Sequence, residues 1–144
     1  MKTIRQLALS VTATFVLVGV PIYAVRAADK PEGKWTVTGV IRSGELVIGQ
    51  DDGLGKFTIS GDKAEWTEIP RAFKKKGKGT ISFDPAKKPA TVVLKEGDKT
   101  YKGVYRLDGD SLIIVLSDPG GDFPKDTEKV PKDFEGCKIT LKKN

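Results

Sequence analysis

The stretch Tyr101-Lys-Gly-Val-Tyr-Arg-Leu-Asp-Gly-Asp-Ser-Leu-Ile-Ile-Val-Leu116 predicts a β-hairpin. Its central Gly109-Asp110 pair supplies the positive φ that a two-residue hairpin loop needs, and Tyr105 then faces Ile114 across the hairpin. A loop one residue earlier leaves the same residues on one face. The shared apolar face consists of Tyr101, Gly103, Tyr105, Leu107, Leu112, Ile114 and Leu116. The other face is polar except for Val104, Ile113 and Val115.

A second stretch repeats this pattern earlier in the chain. Phe57-Thr-Ile-Ser-Gly-Asp-Lys-Ala64 has the same order of aromatic, aliphatic, polar and Gly-Asp residues as Tyr105–Leu112. With Gly61-Asp62 as its turn, the hairpin has an apolar face made of Phe57, Ile59, Ala64 and Trp66. Two hairpins of this kind favour an up-and-down meander over a Greek key.

Short β-type segments recur after residue 33, separated by Gly, Asp and Pro, and no segment shows a convincing helical period. We predict nine strands, over Lys34–Ile41, Glu45–Gly49, Lys56–Ser60, Lys63–Glu68, Lys78–Asp84, Ala90–Glu96, Thr100–Leu107, Ser111–Ser117 and Cys137–Lys142. In the first strand, strict alternation separates Trp35, Val37 and Ile41 from Thr36, Thr38 and Val40. Nine such strands have to hide their edges, which predicts a small antiparallel up-and-down β-barrel. A β-sandwich is the alternative.

The first 27 residues have the pattern of an export signal. Lys2 and Arg5 precede an apolar stretch over residues 7–20. Val25-Arg26-Ala27 then has small residues at the positions that a signal peptidase recognises before its cleavage site. We expect cleavage after Ala27, which makes residues 28–144 one exported domain, periplasmic or extracellular. An uncleaved anchor is the alternative, but it needs about 18 to 25 apolar residues, and Pro21 and Arg26 interrupt this run. We expect no stable membrane span after cleavage.

The composition narrows the function classes. The formal net charge is +6, but the signal carries three of the positive charges and no acid, so the basic balance does not imply nucleic acid. Histidine is absent, which excludes Ser-His-Asp and Cys-His catalysis and makes a zinc site improbable. Cys137 is the only cysteine, so the domain has no internal disulfide, and we expect a small buried hydrophobe there. We predict that the protein is not an enzyme and that it binds no cofactor.

The charged clusters have simple structural interpretations. The acids of Asp51-Asp52, Asp108-Gly-Asp110 and Asp118 stand where turns need Asp, although calcium binding is an alternative because oxygen ligands suffice. The alternation predicts no inward Asp or Glu, as a glycosidase carboxylate pair would require. The basic run Arg71-Ala-Phe-Lys-Lys-Lys-Gly-Lys78 indicates a solvated hairpin loop. The alternative is contact with an anionic surface, such as lipid headgroups or acidic polysaccharide.

The longest irregular stretch is Asp118–Gly136, which contains three prolines and which we call the flap. A loop of this length is usually functional or packed. Because Ile113 and Val115 are apolar on the outer face of the hairpin, we expect the flap to cover them through Phe123, Val130 or Phe134.

The aromatic residues predicted to face inward lead to two hypotheses of function. Core packing is the simplest role for them, but a tyrosine hydroxyl needs a partner inside a barrel, so a ligand pocket is the alternative. Its candidate ligand-binding residues are Tyr101, Tyr105 and Trp66. The first hypothesis is a small apolar ligand in the barrel mouth. The second is an interaction or structural module with a mostly filled barrel, meeting a protein partner through its outer surface or the flap. The many bulky inward residues favour the second.

The chain resembles a family of uncharacterised exported proteins with a lipocalin-like, calycin-type β-barrel domain, known mainly from planctomycete bacteria. The resemblance covers nearly all of residues 28–144, and its motifs are Gly33-Lys-Trp35, Phe57-Thr-Ile-Ser-Gly-Asp62, Asp84-Pro-Ala-Lys-Lys-Pro89, Gly103-Val-Tyr-Arg-Leu-Asp-Gly-Asp-Ser-Leu112, Pro131-Lys-Asp-Phe134 and Leu141-Lys-Lys143. In lipocalins the Trp of the G-x-W motif plugs one end of the barrel. Val130 stands where the family pattern has an Arg before the P-x-x-F element. The resemblance implies the fold and no particular activity.

Overall fold

A computed structural model describes residues 30–48, 55–67 and 76–144 of the chain. All regular structure in these residues is β-structure, and no helix among them is long and apolar enough to cross a membrane. The strands are β1 (Gly33–Arg42), β2 (Glu45–Ile48), β3 (Lys56–Ser60), β4 (Lys63–Thr67), β5 (Lys76–Asp84), β6 (Thr91–Glu96), β7 (Lys99–Asp108), β8 (Ser111–Ser117) and β9 (Gly136–Lys143). All nine predicted strands are therefore present, and within the described residues their ends differ from the predicted ones by at most two residues. The predicted ends Gly49 and Glu68 lie outside the described residues.

The strands form one closed antiparallel barrel. From β3 to β9 each strand pairs with the next in the chain, and β1 closes the sheet by pairing with both β3 and β9. This gives an eight-stranded up-and-down barrel of the lipocalin-like kind, and it excludes the β-sandwich. The short β2 pairs with the last residues of β1. It lies on the same edge of β1 as β3, which pairs with the first residues of β1.

The two predicted hairpins have the predicted registers. Tyr105 pairs with Ile114 in the β7–β8 hairpin, and Phe57 pairs with Trp66 in the β3–β4 hairpin. Gly109 has a φ of 57°, which is the positive value that the first position of a Gly-X hairpin turn requires. The Gly-Asp pairs at these two turns thus set the register locally, and every second residue of each hairpin reaches the interior.

The barrel interior is lined by large apolar side chains. Trp35 and Trp66 are both 1% exposed, as their positions on the apolar faces predict. The rings of Phe57 and Trp66 stack with centroids 6.0 Å apart, and Phe83 meets Tyr105 edge to face at 5.0 Å. The core consists of Trp35, Val37, Val40, Phe57, Ile59, Ala64, Trp66, Ile81, Val92, Leu94, Tyr101, Tyr105, Leu112, Ile114, Leu116, Cys137, Ile139 and Leu141.

One prediction for β1 is wrong, because its alternation is interrupted. The pairing of β1 with β9 shifts between Val37 and Gly39, which marks a β-bulge. Beyond the bulge the faces exchange, so Val40 is 0% exposed in the interior and Ile41 faces outward. Arg42 then shares the inner register with its cross-strand partner Cys137. An extra residue in one strand reverses every later side chain of that strand.

Several predictions fall on residues outside the described ranges. These are the signal peptide over residues 1–27, the acids Asp51-Asp52 and the part of the basic run over residues 71–75. The end of the basic run is described, and it is not a loop: Lys76 and Lys78 lie in β5, with exposed side chains. Alternation in a strand explains this, since the residues between these lysines and after them, Gly77 and Gly79, face inward.

Candidate functional site

The flap leaves the barrel through a tight turn and returns beside its starting point. In Asp118-Pro-Gly-Gly121 the amide of Gly121 donates to the carbonyl of Asp118 at 2.9 Å. Pro119 and a Gly120 φ of +87° suit the two central positions of a type II turn. The base of the flap is closed by the amide of Asp118, which donates to the carbonyl of Glu135 at 3.0 Å.

The flap packs on the outer wall of the barrel, as the apolar outer residues of the hairpin predict. Val115 is 0% exposed and Val104 is 1% exposed, although both lie outside the barrel core. Thr127 of the flap is also buried, and Phe134 lies against Gly136 at the start of β9. Removing this apolar surface from water stabilises the folded-back flap.

Ion pairs fasten the flap at its start and at its middle. The guanidinium of Arg42 donates to the carboxylate of Asp118, with Nη2 and Oδ2 2.8 Å apart. On the outer face of β7, Arg106 pairs with Glu128 of the flap and, at 3.0 Å, with Asp108. Hydrogen bonding to Glu128 raises the pKa of the Arg106 guanidinium further above its ordinary value. These contacts give the flap a defined position on the barrel.

Two further contacts hold the outer parts of the flap. The ammonium group of Lys102 lies 5.7 Å from the ring centroid of Phe123, within the range of a cation–π interaction. At the other side, Lys132 lies against Gly44 at the tip of the β1–β2 hairpin. The β1–β2 hairpin and β7 therefore both support the flap.

The folded flap encloses a cleft of about 860 Å³, which we call the flap cleft. Its floor includes Val115 of β8, and its apolar walls include Phe123, Val130 and Phe134. The sequence named these three as candidates to cover Ile113 and Val115. Val115 is buried, whereas Ile113 stays half-buried and does not line the cleft. A volume of this size is within the range of small-molecule and peptide sites. The remaining lining residues are Ser117, Asp118, Pro119, Gly120, Gly121, Asp122, Pro124, Lys125, Asp126, Lys129, Pro131, Asp133 and Glu135.

The charge of the cleft lining is negative. Among the described residues that line it, five carry carboxylates and two, Lys125 and Lys129, are cationic. Asp126 accepts a hydrogen bond from the amide of Glu128 at 2.8 Å, and this bond is the main cause of its lowered pKa. Asp126 therefore stays ionised at neutral pH.

The three predicted ligand-binding residues, Tyr101, Tyr105 and Trp66, all lie in the core of the barrel. Tyr101 and Tyr105 are four residues apart on β7, about 13 Å along a strand. Burial raises the pKa of Tyr101. The negative charges of Glu96 and of Asp118, the first residue of the flap, raise it further. Burial also raises the pKa of Tyr105, with a smaller contribution from Asp84, which lies toward the opposite end of the barrel. The two hydroxyls therefore have different surroundings.

The third predicted residue, Trp66, lies on β4 and has different neighbours. It pairs with Phe57 on one side and with Gly77 on the other. Its indole fills the space beside Gly77, so it acts as a core residue there. None of the three predicted residues lines the flap cleft.

Two arginines that position the flap were not predicted. Arg42 reaches Asp118 because the bulge in β1 reverses its face, and Gly39 within the strand is the sequence signal for that bulge. Arg106 lies on the polar outer face of the β7–β8 hairpin, and only the packing of the flap brings Glu128 to it. Across the described ranges, no group of three or more His, Cys, Asp or Glu side chains is arranged to hold a metal ion. No family model, curated protein or solved structure matches this chain.

Proposed function

We propose that the protein is a non-catalytic interaction module, whose barrel interior is filled and whose partner binds in the flap cleft. The observation that carries this proposal is the position of the cleft: about 860 Å³ of space lies outside the barrel, between β8 and the flap. The inward positions carry buried aromatic side chains instead, among them Trp35, Phe57 and Trp66. Protein interiors close to high packing density where they can, so the barrel serves as a scaffold for the flap.

The way in which the flap is fastened supports this proposal. Arg42 and Arg106 pair with flap carboxylates, and Val115, which lines the cleft together with flap residues, is buried. A cleft held in this way is preorganised, so a partner does not have to order the loop when it binds. Loops positioned by a rigid scaffold are also where binding sites concentrate.

A second candidate is a protein that binds a small hydrophobic ligand inside the barrel, and one observation favours it. The hydroxyl of Tyr105 and the Nε1 of Trp35 are buried and have no hydrogen-bond partner in the described part of the chain. Buried polar atoms normally have a partner. A polar group of an enclosed ligand, or a buried water, would supply one.

We further propose that the domain is exported after cleavage of residues 1–27, and that it is an exported lipocalin-like protein. The sequence of residues 1–27 and the motifs of the barrel strands support these proposals. The closed barrel leaves few strand edges free, and the domain needs no disulfide. Both properties suit an interaction module in a periplasmic or extracellular setting.

The experiment that tests the proposed function is a fragment screen followed by amide NMR mapping. We expect fragment binding to shift the amides of Val115, Phe123 and Val130, which line the flap cleft. Native mass spectrometry of protein from its own source then identifies any co-purified mass. Bound molecules that shift only Trp66 and Tyr105 would show that the barrel interior is the site and would overturn the proposal.

A further inference from the structure

We infer that the flap cleft binds an extended protein segment that presents an apolar side chain next to a lysine or arginine. This inference rests on the proposed function and names the chemistry of the partner. Three properties of the cleft carry it: its apolar wall, the sign of its charge and the state of its main chain.

The apolar wall provides a place for one large side chain. Val115 lies at the floor, and Phe123, Val130 and Phe134 lie around it. Phe123 is one of two large hydrophobic residues exposed in the described ranges, at 42% exposure. Covering Phe123 and the half-buried Val130 and Phe134 with an aromatic or aliphatic side chain removes their exposed apolar surface from water.

The charge of the cleft selects a cationic neighbour for that side chain. Arg42 compensates Asp118, but within the described ranges Asp122, Asp133 and Glu135 form no ion pair, and all three are exposed. Lys125 and Lys129 are also exposed and offset part of this charge. The lining remains negative on a chain whose net charge is +6. Complementary charge steers a cationic partner to this face and disfavours an anionic one.

The main chain of the flap favours a peptide over a lipid or a small apolar molecule. From Asp122 to Lys132, no amide donates to a main-chain carbonyl of the described residues. The amides of Thr127, Glu128 and Lys129 face the carboxylate of Asp126, so these three are not open. The open amides are those of the non-proline residues on either side, in 122–126 and 130–132. Main-chain carbonyls of an extended segment can pair with these open amides, as in other modes of peptide recognition. A lipid chain offers no such groups.

The test uses three synthetic pentapeptides, titrated into the purified protein by calorimetry at low and at physiological salt. The first has a central phenylalanine flanked by two lysines on each side, the second replaces the lysines by glutamates, and the third replaces the phenylalanine by alanine. We expect the first peptide to bind at least about 10-fold more tightly than either of the others, which is the factor that 1.4 kcal/mol gives. We also expect its affinity to fall as salt is added.

Charge reversal of the cleft provides the matched variants. In Asp122→Lys/Asp133→Lys, both changes are at exposed positions that line the cleft, so the barrel core is untouched. We expect this variant to lose at least about 10-fold in affinity for the lysine peptide and to gain affinity for the glutamate peptide. The control is Asp62→Lys/Asp110→Lys, which makes the same change in net charge at two exposed hairpin turns at the other end of the barrel. We expect the control to bind like the parent protein.

Any other outcome contradicts the inference. The pattern of outcomes also distinguishes failure of this inference from failure of the proposed function. If the glutamate peptide binds better and shifts cleft amides, the inference on charge is wrong but the cleft remains the binding site. If none of the peptides binds while fragments still map to the cleft, the occupant is not a peptide of this class. If the control variant loses affinity as strongly as the cleft variant, the attraction is a property of net charge and not of the cleft. Fragments that map to the barrel interior overturn both proposals.

Discussion

The indole of Trp66 lies so close to Gly77 of the neighbouring strand that a Cβ atom at residue 77 would come within 2.6 Å of its Cζ2. The two residues are cross-strand partners in β4 and β5. The glycine therefore makes room for the largest side chain in this part of the core, and the pair fixes how β5 packs against the barrel interior.

We predict that Gly77→Ala lowers the free energy of unfolding by about 1 to 3 kcal/mol, because the added methyl group overpacks the interior. Elsewhere in a strand the same change is usually favourable, since alanine loses less conformational entropy than glycine. Chemical denaturation measures the effect. In a Trp66→Phe background, where the clashing indole atoms are absent, Gly77→Ala should cost much less. An equal cost in both backgrounds would contradict the packing explanation.

The bulge in β1 predicts opposite sensitivities at two adjacent positions. Val40→Thr places a hydroxyl in the barrel interior, which we expect to cost about 1 to 3 kcal/mol of unfolding free energy. Ile41→Thr changes a half-buried outward residue, and we expect it to cost less than about 1 kcal/mol. Urea denaturation of the two variants measures the difference. A larger loss of unfolding free energy in Ile41→Thr than in Val40→Thr would contradict the bulge and would favour uninterrupted alternation in β1.

The buried hydroxyl of Tyr105 has no partner among the described residues, and this predicts an unusual pair of effects. Tyr105→Phe should leave the free energy of unfolding unchanged or raise it by up to about 1 kcal/mol, because it removes an unsatisfied polar atom. Tyr105→Ala should lower it by about 3 to 5 kcal/mol through the cavity that it creates. A loss of more than about 1 kcal/mol in Tyr105→Phe would show that the hydroxyl has a partner in solution, and it would favour an enclosed ligand or water.

Cys137 predicts a dependence of stability on alkaline pH. Burial raises the pKa of its thiol from 9.0 to about 12, so the unfolded chain loses this proton while the folded protein keeps it. Its contribution to stability is complete below pH 9 and is lost as the pH rises toward 12, at about 1.4 kcal/mol per pH unit. Denaturation curves across this range measure the slope, and Cys137→Ala is the control that should reduce it. The native thiol should also resist alkylation at pH 8.

The proposed export signal predicts the first residue of the mature protein. Val25-Arg26-Ala27 is the cleavage site that best follows the apolar stretch, so we expect exported material to begin at Ala28. N-terminal sequencing of that material identifies the residue. Recovery of the chain with an intact Met1 in the membrane fraction would contradict cleavage and would favour the uncleaved anchor.

The sequence determined the barrel because its decisive signals are local. Gly109-Asp110 and Gly61-Asp62 fix two hairpins through the backbone geometry of a single turn, and the alternation on each side assigns the inward residues. The same argument identified Val115 as an apolar residue on the outer face, so the folded-back flap was predictable. Hairpins between successive strands then leave an up-and-down meander as the simplest topology.

The tertiary structure alone decided the features that depend on contacts between distant parts of the chain. The bulge in β1 depends on its pairing with β9, and a single extra residue there brought Val40 inward and moved Arg42 to within reach of Asp118, 76 residues away. The flap cleft likewise depends on contacts between the flap and distant strands, such as the ion pair of Arg106 with Glu128. Local sequence specifies which face a residue takes relative to its neighbours, but register shifts and loop packing are set by the lowest free energy of the whole closed barrel.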